Sequence, residues 1–268
     1  MKVSTIILNI VAWALVLFWA LPFIGLIASS FQTFESVTKG WWTFSSLTLN
    51  NYIYVVTKGF LRHIGNSIII TIGSVIIPLI VAGMAAYAFS RLSFKLKTML
   101  FLMIVALQVI PQQMVLVPLL KLMRLTHLYN TIMGIILVHS AFATPWILFF
   151  LKNFVDVIPR DYEDAAKVDG SSDIDVFFRI ILPLMAPALG SVAAIQAIWA
   201  WNDLLFAITF LMPENWPSTA AVTTFVSRYN PNWGALTSAS LLSILVPITL
   251  YISLQKYYVR GLSGGLKA

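Results

Sequence analysis

The sequence predicts an all-α membrane protein of six transmembrane helices, and three observations carry that prediction. Of its 268 residues 59% are hydrophobic and 10% charged, against about 25% charged in a soluble domain. The mean hydropathy is +0.88, so polar surface is too scarce for a water-soluble chain. The apolar residues fall into six runs long enough for a bilayer core of about 30 Å, which takes about 20 helical residues. One long polar passage, Asp161 to Leu184 (DYEDAAKVDGSSDIDVFFRIILPL), interrupts them.

In order, the runs are Ile6–Ser30, Ile64–Ser90, Thr98–Leu120, Leu128–Leu151, Leu182–Met212 and Ala235–Gln255. They are apolar all round, as helices facing lipid and each other are. Only Asp203 places a formal charge inside one of them. The first run follows a single Lys, as a signal peptide does. Its 25 residues exceed the about 7–15 of a signal-peptide core, so it reads as a retained span. Prolines at 22, 78, 111, 118, 145, 183, 187 and 247 fall inside or beside the runs. Each removes a backbone donor and invites a kink. Small residues at Ala82-Gly83, Ala85-Ala86 and Ala188 to Ala194 permit close helix approach. No internal repeat of the secondary-transporter kind is evident.

Lys and Arg set the orientation. With the N-terminus inside, the inner side holds eleven: Lys2, Arg91, Lys95, Lys97, Lys152, Arg160, Lys167, Arg179, Lys256, Arg260 and Lys267. The outer side holds six: Lys39, Lys58, Arg62, Lys121, Arg124 and Arg228. Both termini and the polar passage are therefore expected in the cytoplasm. A net charge of +7 would suggest nucleic-acid binding in a soluble protein; here it is the excess of basic residues in cytoplasmic loops. The outer loops carry Trp41, Trp42, Tyr52 and Tyr54, then Trp216, Tyr229 and Trp233, which read as an interfacial aromatic belt in preference to a recognition surface.

The polar passage divides into two short helices. Pro159 can open the first, and Asp161, Glu163 and Asp164 suit the positive end of its dipole. Gly170 stops it in the left-handed conformation. Ser172 caps the second, with Asp175 as a weak capping-box partner, and Ile174, Phe177, Phe178 and Ile181 form its apolar side before Pro183. Seven of the chain's ten acids lie in or beside this passage: Asp156, Asp161, Glu163, Asp164, Asp169, Asp173 and Asp175. Lys152 to Arg179 sums to −3 while the rest of the chain sums to +10. An acidic knob on a basic membrane protein fits a partner with a basic rim or a merely solvated loop, and pattern alone leaves both open.

The spacing D-A-A-x₃-G-x₉-I-x-L-P from Asp164 to Pro183 resembles the EAA motif of ABC importer permeases. Ala165, Ala166, Gly170, Ile180, Leu182 and Pro183 occupy the motif positions, with Asp164 where Glu is usual. Asn66-Ser67, Ala85-Ala86-Tyr87-Ala88 with Arg91, Pro111 with Pro118, Trp201-Asn202-Asp203 and the ending from Gln255 to Leu262 are similar to the carbohydrate-uptake branch. Within it they are closest to the maltose-type second permease subunit. The resemblance implies a type I ABC importer permease fold in a bacterial or archaeal cytoplasmic membrane. It divides the chain into a first helix with outer loop (1–63), a five-helix core (64–258) carrying the coupling loop 152–182, and a cytoplasmic tail (259–268). It implies that Asp161, Glu163, Asp164, Ala165, Ala166, Asp169 and Gly170 meet an ATPase. The partners so implied are a homologous second permease, two ATPase subunits that hold ATP and Mg²⁺, and an extracytoplasmic sugar-binding protein.

The chain carries no G-x-x-x-x-G-K-[ST] loop and no H-E-x-x-H, so it is expected to hold neither ATP nor catalytic metal. Without cysteine it makes no disulfide or thiolate site. His63, His127 and His139 are scattered, and His139 reads as a hydrogen-bonded packing residue. An acid inside a span is costly and marks function by default. Asp203, with Trp199, Trp201 and Asn202, could meet a sugar or could tie helices together. Gln108, Gln112 and Gln113 line a cavity or join helices, and Gln112 joins the candidate pathway. An ion-coupled transporter or channel is the alternative, with Asp203 its one coupling charge. An intramembrane enzyme lacks an acid pair or a Ser/His constellation at span depth.

Overall fold

Lipid offers a backbone no hydrogen-bond partners, so a spanning run must satisfy its amides internally. The computed structural model is accordingly helical across the described residues, 3–44, 46–226 and 232–264, with side chains described at 5, 7–44, 46–226, 232–250 and 252. Among them the one strand-like pairing is an isolated bridge between Gln32 and Leu47. Tyr229 and Arg228 lie outside the described residues, as do the side chains from Gln255 onward.

The chain runs α1 (Val3–Ser30), α2 (Phe34–Lys39), α3 (Asn50–Thr57), α4 (Phe60–Arg91), α5 (Lys97–Ala106), α6 (Gln112–Leu125), α7 (Ile132–Asp156), α8 (Asp161–Val168), α9 (Asp173–Val176), α10 (Leu182–Leu184), α11 (Ala186–Asn202), α12 (Leu205–Phe210), α13 (Ser218–Ala221) and α14 (Trp233–Gly264). Four stretches are apolar enough to cross a membrane unbroken: Ile7–Ser30 of α1, α4, α7 and Trp233–Leu250 of α14. Two bent pairs complete six spans when each pair counts as one.

Both bent pairs depart from the straight runs that hydropathy predicts, and proline explains each. Pro111 offers no N–H and holds Ile110 extended (φ −73°, ψ 117°). The segment Lys97–Val109 therefore meets α6 at 101°. Asp173–Leu184 meets α11 at 70°, where Pro187 opens the new helix. The expected fifth span also ends early: α11 stops at Asn202, Asp203 is extended (φ −64°, ψ 123°), and α12 is separate. Asp203 thus sits at a break between helices instead of inside one.

The chain forms two compact units, residues 1–64 with 218–246 and residues 65–217 with 247–268. In the first unit the long outer loop is pinned by amide side chains. Asn51 donates to the carbonyls of Ser30 (3.0 Å) and Gln32 (2.8 Å), and buried Gln32 donates to Trp41 O at 2.6 Å. Trp41 packs on Gly25 of α1 while Trp42 is exposed, so this loop is an ordered element as well as an aromatic one. In the second unit, Ala82 and Ala86 of α4 leave room for Ile147 and Leu151 of α7, joined by Phe177, Met185 and Val192. Gly73 does the same higher on α4, where a Cβ would stand 2.7 Å from Ile136.

Candidate functional site

The polar passage forms a rigid corner. The Arg160 carbonyl accepts from Glu163 N (2.8 Å) and Asp164 N (2.9 Å), which starts α8 at Asp161, two residues after Pro159. At the other end Ser171 N reaches Ala166 O and Gly170 N reaches Lys167 O, both at 3.0 Å. These two bonds are a Schellman closure with Gly170 at the left-handed position, φ +87°. Ser172 then accepts from Asp175 N at 3.2 Å while its hydroxyl donates to the Asp175 carboxylate at 2.6 Å. Lys167 pairs with Asp173 across the corner at 2.8 Å, and that bond holds the Lys167 ammonium above its ordinary value.

Beyond α9 the chain widens into a π-helical turn, Phe177–Ile181. Pro183 would crowd the Arg179 carbonyl in a regular helix and offers it no donor; the wide turn relieves both. One consequence contradicts the expected apolar side. Val176, Phe177 and Ile181 are buried, whereas Ile174 is 71% and Phe178 52% exposed.

Of the seven residues expected at an ATPase contact, Asp161, Asp164, Ala165, Asp169 and Gly170 are exposed and Ala166 is half-buried. Glu163 is turned the other way, buried at 4% exposure. It accepts from Arg91 Nε at the end of α4, and Arg91 also donates to Ile158 O at 2.6 Å. Nothing in the spacing of Arg91 and Glu163 announces this pair, since 72 residues separate them.

The residues expected along a translocation pathway divide. Gln112 and Trp199 line one cavity of about 270 Å³ with Gln108, Phe142, Trp146 and Gln196. It opens where Pro111 breaks the helix and holds three amides, two indoles and no charge. Trp201 is buried away from it, and Asn202 donates to Ile198 O at 2.9 Å. Asp203 caps α12, accepting from Phe206 N (3.3 Å) and Ala207 N (3.1 Å).

Asp203 also meets His139 Nε2 at 3.2 Å, and His139 Nδ1 meets the Ser74 hydroxyl at 3.1 Å. A Ser/His/acid constellation therefore does form at span depth, contrary to the sequence reading. Its Ser74 and His139 are 0% and 1% exposed, and the carboxylate is engaged by backbone amides. The arrangement ties α4, α7 and α12 together. His139 is the packing residue its isolation suggested, with Trp199 edge-on at 5.3 Å.

Broken helices around a polar cavity, within a six-span helical protein, are the architecture of a membrane transport protein. Comparison with known proteins gives the family. Residues 75–264 match the binding-protein-dependent transport system inner membrane component family, and the chain belongs to it. It is 41% identical over 262 residues to a probable ABC transporter permease of Pyrococcus horikoshii, covering 96% of this chain and 95% of that one. An alpha-glucoside transport system permease of Rhizobium meliloti is 38% identical over 226 residues, 81% of this chain and 60% of that one. A chain from the crystal structure of a bacterial ABC transporter involved in import of the acidic polysaccharide alginate superposes with a TM-score of 0.83 at 23% identity, covering 96% and 99%. The fold is that of an ABC importer permease, and the chain is a multi-pass membrane permease.

Proposed function

We propose that this chain is the permease subunit of an ATP-driven importer of uncharged oligosaccharides or glycosides. It pairs with a homologous second permease, and an extracytoplasmic binding protein delivers the sugar. The observation that carries the proposal is the rigid corner at Gly170, which presents Asp161, Asp164, Ala165 and Asp169 outward while its back is fastened to the spans. Two ATPase subunits, which hold ATP and Mg²⁺, meet these corners, and ATP binding favours one permease state differentially through the docked helix. With the corner in the cytoplasm, both termini are cytoplasmic too. This subunit supplies no catalytic residue.

The cavity lined by Gln112 and Trp199 supports a place on the pathway. Indole faces take the C–H faces of a sugar ring, amides take its hydroxyls, and the absence of charge suits a neutral ligand. The alpha-glucoside relative supports the same class. The test is co-purification with the ATPase subunits, then uptake of maltotriose, raffinose and an alginate trisaccharide into proteoliposomes. ATP-driven uptake of a neutral sugar is expected. Uptake by this chain alone, driven by an ion gradient without ATP, overturns the proposal in favour of an ion-coupled transporter.

A further inference from the structure

The last turn of α4 is where the corner meets the spans. Arg91, its final residue, reaches Glu163 of α8 and the Ile158 carbonyl just past α7. The two paired side chains are each 6% exposed. One residue earlier Ser90 donates to Asp156 at 2.6 Å, and Lys152 holds Asp156 at 2.6 Å. Lys97, at the start of α5, donates to Leu92 O (2.8 Å) and Ser90 O (3.2 Å). Four elements are therefore bonded at one turn.

From the side of α8 the attachment is narrow. Glu163 is its one buried residue, and Ala166 adds a half-buried methyl group against the core. Apolar contact of that size allows sliding. A buried ion pair is weak ground for stability, because desolvating both charges offsets most of their attraction. What it supplies is placement: the planar guanidinium fixes direction as well as distance, and a second bond to Ile158 O fixes the guanidinium.

We propose that the Arg91–Glu163 pair is the positioning link through which movement of α8 is passed to α4, and with it to α5 and α7. The inference rests on the coupling reading above and names the residues that carry it inside this chain. Neither side chain meets nucleotide or sugar in this scheme. Loss of the link leaves the ATPase docked and active but disconnected from the spans.

The test uses the complete complex in proteoliposomes and reads ATP hydrolysed per sugar taken up, with maltotriose or raffinose as the probe. In Arg91→Gln and Glu163→Gln the ATPase is expected to co-purify as with the unaltered chain, while the ratio rises within the range of about 5–150-fold that coupling energies span. The swap, Arg91→Glu with Glu163→Arg, is expected to bring the ratio back toward the unaltered value. An unchanged ratio in both single variants overturns the inference, as does a swap that assembles without restoring it. Where the single variants do not assemble, Arg91→Lys decides, since it keeps the charge and loses the planar fork. A raised ratio in an assembled Arg91→Lys complex supports the link, and an unaltered ratio overturns it. Failure of the unaltered complex to take up either sugar with ATP counts against the proposed function instead, so the two failures are distinguishable.

Discussion

At Gly170 the backbone sits at φ +87°, and nothing lies within 4 Å of where a Cβ would stand. A side chain there meets backbone strain and no clash. Gly170→Ala should cost roughly 1–2 kcal/mol, which loosens the corner locally, while Gly170→Asn should cost less because Asn visits that region. Hydrogen exchange across 165–175 checks this: Ala should exchange faster than Asn, and equal rates would show the strain is absorbed elsewhere. Gly170→Asp then isolates charge from strain. It adds an acid to an already acidic face and should raise ATP hydrolysed per sugar; a wild-type ratio would count against docking at this face. The Lys167–Asp173 pair bears on the pH at which such assays are run. A lysine raised by a partner lends its stability below its unfolded pKa and loses it as pH rises through the folded value. No titration of Lys167 is therefore expected at neutral pH, and the half-exposed pair contributes about 0–1 kcal/mol. Asp203 is a different case. Asp203→Leu leaves two amides and an imidazole without their acceptor, at about 1–3 kcal/mol for each unsatisfied buried group. A large fall in melting temperature is expected, with Asp203→Asn falling less because one acceptor oxygen stays. A full-stability Asp203→Asn with weakened uptake would assign a substrate role to this residue.

Among the elements, the helix after Ser172 shows what periodicity can and cannot deliver. The glycine corner and the Ser172 cap were legible because each rests on one residue type with one local geometry. A count of 3.6 residues per turn places the apolar side, and the π turn breaks that count by accommodating an extra residue. Pro183 was visible in the sequence; the widening it provokes four residues earlier was not. Pro183→Ala restores the missing donor and removes the crowding at the Arg179 carbonyl. The turn is then expected to tighten to α, rotating Val176 and Phe177 by about 100° per residue removed and drawing them off the core. Interspin distances between labels at Ile174 and Leu189 would register the change; distances identical to the unaltered chain would mean that packing, and not Pro183, sets the π geometry. The Pro111 break follows the same rule. The proline marks the place, and the extended Ile110 before it turns the chain there.

At the scale of the whole molecule, the six spans were legible because bilayer thickness converts directly into segment length. The Ser74–His139–Asp203 tie was not, since its members stand 64 and 65 residues apart along the chain and meet only once α4 and α7 cross. The same limit hid Glu163 facing inward: its acid neighbours all read as surface, and only the approach of Arg91 singles it out. Orientation is the remaining global property, and it rests on charge asymmetry. Eleven Lys and Arg fall on the proposed inner side against six outside, and each basic residue resists transfer across the membrane during insertion. The corner at 161–184 is then expected to face the cytoplasm, and the loop after α1 to face out. The absence of cysteine from the sequence makes this directly measurable, because a single introduced thiol is the only one to label. Ser171→Cys sits on the corner, and Thr38→Cys in the outer loop. With a membrane-impermeant maleimide, Thr38→Cys should label in intact spheroplasts, whereas Ser171→Cys should label only after permeabilisation. The reverse pattern would place the corner outside, where no ATPase could reach it, and would overturn the coupling role together with the orientation.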